Sequence, residues 1–108
     1  YDYAEVFGKQ VSGLGRPGDV LLAISTRGHS DSVVRAAKAA RGAGMISIAL
    51  TGADGGSLAE CCDQALIVKC SRVTARIQEG HAIIVHLLAG MIEERMNEER
   101  SDLGTSRR

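Results

Sequence analysis

Val20-Leu21-Leu22-Ala23-Ile24 runs directly into Ser25-Thr26-Arg27-Gly28-His29-Ser30. A continuous apolar block of this length reads as a strand buried on both faces, the pattern of a parallel sheet. The polar residues after it form a loop. A helix then starts at Ser30 with Asp31 in its first turn, and carries Val33, Val34, Ala37 and Ala40 to Gly42 or Gly44. The same order repeats downstream. Met45 to Leu50 is a second buried strand, and Thr51-Gly52-Ala53-Asp54-Gly55-Gly56 a second polar loop. Ser57-Leu58-Ala59-Glu60 opens a short helix, and Asp63 leads into a third strand, Ala65 to Val68. Alternating strands and helices predict a parallel α/β sheet with right-handed crossovers. Ligands of such sheets bind beyond the carboxyl ends of the strands, which here means residues 25–30 and 51–56.

Outward from this centre, Tyr3, Val6, Phe7 and Val11 recur at helical spacing, Gly13 and Gly15 end that run, and Pro17-Gly18-Asp19 is a turn. A long last helix is expected from about Val73 to Asn97. Residues 98–108 are charged and lack apolar periodicity, so the reading is a domain of residues 1–97 followed by a flexible tail.

Composition narrows the class. The 108 residues suit one domain, and with only 3% aromatic residues the core must be built from Val, Ile, Leu and Ala. Thirteen basic and thirteen acidic side chains cancel, which implies no basic face for direct nucleic-acid binding. No apolar run approaches the ~18 residues that span a bilayer, and the N-terminal residues do not read as a signal peptide. Cys61, Cys62 and Cys70 lack CxxC spacing, so they read as free, core or near-core thiols in a reducing cytoplasm rather than as a disulfide framework or thiolate zinc site.

Chemistry collects in two places. Ser25, Thr26 and Ser30 offer hydroxyls beside Gly28, and Ser30 stands at a helix start, where free N–H groups attract an anion. The same residues equally suit a plain cap and turn. The last helix sets Gln78, Glu79, His81 and His86 among Ile and Val, and polar groups on such a face need partners. His81 reads as a helix-face histidine near an interface. Glu79 reads as the partner of a nearby basic side chain, and Arg76 as that partner or as a neighbour of substrate.

Ile24-Ser-Thr-Arg-Gly-His-Ser30 resembles the I-S-T-S-G-N-S loop of sugar isomerase (SIS) domains. Leu50-Thr51-Gly52 with Gly55-Gly56, and Arg76-Ile77-Gln78-Glu79 with His81 and His86, resemble the phosphoheptose isomerase branch of that family. The resemblance runs from Tyr1 to about Arg95 and implies a flavodoxin-like, three-layer α/β sandwich. It also implies interconversion of sedoheptulose 7-phosphate and D-glycero-D-manno-heptose 7-phosphate in a cytoplasmic homo-oligomer, tetrameric in the family. Ser25, Thr26 and Ser30 then hold the sugar phosphate. Two positions depart from the pattern: Arg27 replaces a phosphate-binding serine and His29 an asparagine. Arg27 either adds a charge-assisted contact to phosphate or blocks the cradle with bulk.

The resemblance further implies that Gln78 and His86 are zinc ligands, with Gln78 near substrate and His86 also moving a proton. Spacing constrains this. Eight residues of straight helix separate the two by ~12 Å along the axis and ~80° around it, whereas zinc lies ~2 Å from each ligand. Either the helix is irregular near Gly80, or one site draws its ligands from two chains; the apolar helix makes a natural oligomer seam. The family's domain is longer at its N-terminus, where it carries a His and the Glu that serves as base. The chain therefore reads as the C-terminal portion of the domain. Alternatives within the family are a non-catalytic protein that binds the replication initiator and a phosphosugar-sensing binding domain.

Overall fold

The computed structural model describes residues 3–106. The three apolar runs form one parallel sheet in the order β1 (Val20–Ile24), β2 (Ile46–Gly52), β3 (Gln64–Val68). Val20 to Ile24 pair in register with Ile46 to Leu50, and Ile48 to Gly52 with Gln64 to Val68. A 3-10 turn at Tyr3–Glu5 leads into helix α1 (Val6–Leu14); α2 (Asp31–Gly42) and α3 (Gly56–Cys61) are the crossovers, and α4 (Thr74–Ser106) follows the sheet.

Side-chain alternation along the strands sorts the layers. Leu21, Ala23 and Ala49 face α2 and α3, where they pack with Val34, Ala37, Leu58 and Cys62. Small residues dominate this layer, so the helices approach the sheet closely: Ala37, Ala40, Ala49 and Leu58 are fully buried. The opposite parity faces α4. A Cβ at Gly52 would stand 2.7 Å from Ile77, and one at Gly80 would stand 3.1 Å from Val68, so the helix crosses the sheet at its first two turns. Helices thus cover both faces, the sandwich the resemblance implies. α1 lies along α2 rather than on the sheet.

The differences from the sequence reading are local. β2 continues two residues past Leu50, because Thr51 and Gly52 pair with Ile67 and Val68; the second loop shrinks accordingly. α4 continues past Asn97 to Ser106, so residues 98–106 are helical where a flexible tail is expected. Surface Glu and Arg at helical spacing sustain it, as in the Arg95–Glu99 pair at 3.9 Å. Residues 107 and 108 of that expected tail lie outside the described residues. Cys70 is exposed rather than near the core, because it lies in the segment that leaves β3 for α4.

Candidate functional site

Where β1 ends, the Ser25 N–H donates to Leu50 O at 3.0 Å, which anchors the loop to the central strand. The chain then turns: the Gly28 N–H donates to Ser25 O at 3.2 Å, and Gly28 takes φ = 76°. A Cβ at Gly28 would overlap the carbonyl oxygen of Gly55, and one at Gly56 would stand 2.6 Å from Gly28 O. Glycine is required at both contacts, since backbone meets backbone and each φ is positive. The Leu58 N–H closes the contact by donating to Gly28 O at 3.0 Å. The two loops at the carboxyl edge of the sheet are therefore held together backbone to backbone.

Ser30 occupies the N-cap position of α2 but makes no side-chain cap bond. Its hydroxyl instead lies 3.2 Å from that of Ser32, and its N–H points to Ser25 Oγ at 3.4 Å. The helix therefore opens with first-turn amides that no side chain occupies, directly beside the hydroxyls of Ser25 and Ser30. That is the chemistry of a metal-independent phosphate cradle. Arg27 is exposed, and its Nη2 reaches Arg72 O at 3.4 Å.

α4 meets this loop through Gln78, whose Nε2 donates to Thr26 Oγ1 at a long 3.5 Å. One turn on, His81 is only 4% exposed, and its Nε2 stands 2.8 Å from the carbonyl oxygen of Thr51. A carbonyl only accepts, so Nε2 carries the proton. Nδ1 of His81 and the hydroxyl of Thr51 are buried with no hydrogen-bond partner among the described residues. His81 and Ile77 are one turn apart on the same face, and together they seat α4 on the end of β2. Sequence reasoning placed His81 on a helix face and missed this seat. The signal was its spacing of four from Ile77, which puts both on the packed side. Glu79 pairs with Arg76 at 3.0 Å on the exposed side, the structural partnership expected of it.

His86 stands apart from these groups. Five residues beyond His81, it is rotated ~140° from the packed face, and it is exposed. α4 is helical without interruption through Gly80, so no irregularity brings Gln78 and His86 together. Among the described residues no group of three or more His, Cys, Asp or Glu converges on a metal-sized site. The pair does not fit a single zinc ion within one chain. Burial pushes the Cys62 thiol above its usual value of 9.0, which keeps it protonated and inert in the core.

The structure thus joins Ser25, Thr26, Ser30 and Gln78 at the carboxyl edge of the sheet, holds Arg27 at its rim, and leaves His86 outside. Comparison with known proteins agrees with the motifs. Residues 1–52 match the family model described as SIS domain. A phosphoheptose isomerase of Coxiella burnetii is 50% identical over 98 residues, which cover 89% of this chain and 49% of the relative. One from Halorhodospira halophila is 50% identical over 95 residues, covering 86% and 48% respectively. Among solved structures, a phosphoheptose isomerase from Francisella tularensis superposes with a TM-score of 0.79 at 41% identity, covering 83% of this chain and 48% of that one. Another from Neisseria gonorrhoeae gives 0.80 at 47% identity, covering 85% and 51%. The chain spans about half the length of the curated relatives it matches. Over that half, its resemblance to the phosphoheptose isomerase branch of the SIS family holds in both sequence and fold.

Proposed function

We propose that this chain is the phosphate-holding and proton-moving part of a phosphoheptose isomerase, which interconverts sedoheptulose 7-phosphate and D-glycero-D-manno-heptose 7-phosphate. The observation that carries the reading is the meeting of α4 with the hydroxyl loop, Gln78 Nε2 to Thr26 Oγ1. It supports a reading in which the helix bearing the imidazole borders the loop that takes the sugar phosphate. The names of the relatives supply the reaction. Ser25, Thr26 and Ser30 bind the phosphate with the first amides of α2, Gln78 orients the sugar hydroxyls, and Arg27 contributes charge at the rim.

Aldose–ketose exchange moves one proton between adjacent carbons and one between their oxygens. His86 serves the second transfer, since an imidazole carries both a proton-donating and a proton-accepting ring nitrogen. The carbon-bound proton needs a carboxylate base, and the reading assigns that base to a part of the isomerase outside these 108 residues. One chain does not bring Gln78 and His86 to one ion, so in this reading each helps hold zinc with donors from a neighbouring copy of the protein. The assembly is a homo-oligomer, and the unpaired thiols suit a reducing cytoplasm. No helix among the described residues is long and apolar enough to cross a membrane.

The test is isomerisation of sedoheptulose 7-phosphate by the full-length protein, its Gln78→Ala and His86→Ala variants, and a mixture of the two. Each variant should lose at least ~100-fold in kcat, in the upper range of a general acid–base contribution. The mixture should regain measurable activity, with about one zinc per chain in the parent and less in His86→Ala. No rescue on mixing would remove the shared site, and a metal-free parent that binds phosphosugar without turnover would remove the enzyme.

A further inference from the structure

Arg27 and His29, the two loop residues that depart from the usual SIS pattern, line a single cleft together with Lys69, Ser71 and Arg72. Lys69 to Arg72 come from the segment between β3 and α4, so two different connections bring their basic side chains to one place. The cleft encloses about 740 Å³, room for more than one phosphate-sized group. Three basic side chains, Arg27, Lys69 and Arg72, face it against one carboxylate, Asp54.

Among the described residues no acid is paired with these charges. The ion pairs of the described residues join Arg35 to Glu5 and Asp31, Arg76 to Glu79 and Arg95 to Glu99, and none involves Arg27, Lys69 or Arg72. Asp54 is committed locally, with Oδ1 accepting the Gly56 N–H at 3.1 Å. Arg27 turns its guanidinium toward Arg72, whose carbonyl oxygen it reaches at 3.4 Å, while its neighbour Thr26 meets Gln78. Like charges gathered around a concave surface raise the local potential and favour an anion there. Guanidinium groups match phosphoryl oxygens bidentately.

We propose that this cleft is a second anion site beside the hydroxyl cradle, and that its ligand is a phosphosugar bearing a second phosphoryl group. The inference rests on the reading above only in taking Ser25, Thr26 and Ser30 as the seat of the first phosphate. The loop separates the two roles: its hydroxyls serve one group, and Arg27 and His29 serve the other.

Calorimetric titration of the full chain with inorganic phosphate and with pyrophosphate tests it. The variants are Lys69→Gln/Arg72→Gln, whose side chains lie outside the core, and Ser25→Ala, with circular dichroism as the check on folding. Pyrophosphate should bind at least tenfold more tightly than phosphate. The double variant should lose tenfold or more for pyrophosphate while its phosphate affinity stays within twofold. Equal losses for both anions would merge the cations into one phosphate site and overturn the proposal, as would an unchanged pyrophosphate affinity. If Ser25→Ala keeps its phosphate affinity, the assignment of the cradle fails, and with it the division of the loop. Turnover is not read in this titration, so the isomerase reading stands or falls separately on the mixing experiment.

Discussion

The first two turns of α4 and the turns that follow carry similar apolar residues but opposite surroundings. Between Thr74 and Ala82, Ile77 is fully buried and His81 nearly so, each held against the end of β2. Beyond that point Ile83, Leu87, Met91 and Ile92 are each more than 60% exposed. The helix does not change; the sheet beneath it ends. Apolar residues in the first stretch are satisfied by this chain. In the second, Ile83, Leu87 and Met91 form an exposed stripe at i, i+4 spacing with Ile92 beside it, a contiguous set where surface apolar side chains are normally scattered. His86, the proposed proton carrier, lies in the second stretch.

Removing the seat should have the largest effect. Ile77→Ala deletes a fully buried side chain wedged against Gly52. Large-to-small changes of this kind cost about 2–5 kcal/mol. Urea unfolding followed by circular dichroism measures it, and the identical change at Leu87 supplies the control. An equal loss at the two positions would erase the contrast between the stretches.

The seat also marks what a sequence reader can and cannot extract. Three apolar blocks and two polar loops predict a parallel α/β sheet, while the strand order β1-β2-β3 comes from the structure. The rule about carboxyl ends points at residues 25–30 and 51–56 as the ligand edge. It does not give the backbone contact of Gly28 with Gly55 and Gly56, which depends on how far β2 extends. Thr51 and Gly52 look like loop residues by type, and only their pairing with Ile67 and Val68 makes them strand. The union of Arg27 and His29 with Lys69 and Arg72 was hidden for a similar reason. It requires the ends of β1 and β3 to be placed in space, and local periodicity carries no such information. Gln78 and His86 stand out as polar residues in an apolar run and both are exposed, yet only Gln78 lies where α4 still meets the loop, because the sheet stops before His86.

A smaller effect should come from His81, the polar half of the seat. His81→Leu keeps the apolar body but removes the hydrogen bond to Thr51 O, and a typical intramolecular hydrogen bond contributes a net of about 0.5–1.5 kcal/mol. His81→Gln places an amide N–H near the same carbonyl and should recover most of that loss. If Leu and Gln unfold at the same urea concentration, packing alone seats the helix and the 2.8 Å contact contributes nothing.

The second stretch should respond in the opposite sense. Leu87→Gln with Met91→Gln alters two side chains that are 61% and 63% exposed. Surface changes of this sort stay within about 0.5 kcal/mol of the parent, so the unfolding of the dilute, dissociated chain should not move. Association should. Burying one large apolar side chain contributes about 1.5–3 kcal/mol, and 1.4 kcal/mol is about tenfold in an equilibrium constant. The double variant should therefore self-associate at least tenfold more weakly in sedimentation velocity. The outcome reaches past the interface itself, because His86 lies between Ile83 and Leu87 on the same turns. A parent that stays monomeric, or a variant that associates as well as the parent, would leave His86 with no neighbouring copy to complete a site. The rescue expected from mixing Gln78→Ala and His86→Ala would then lose its physical basis.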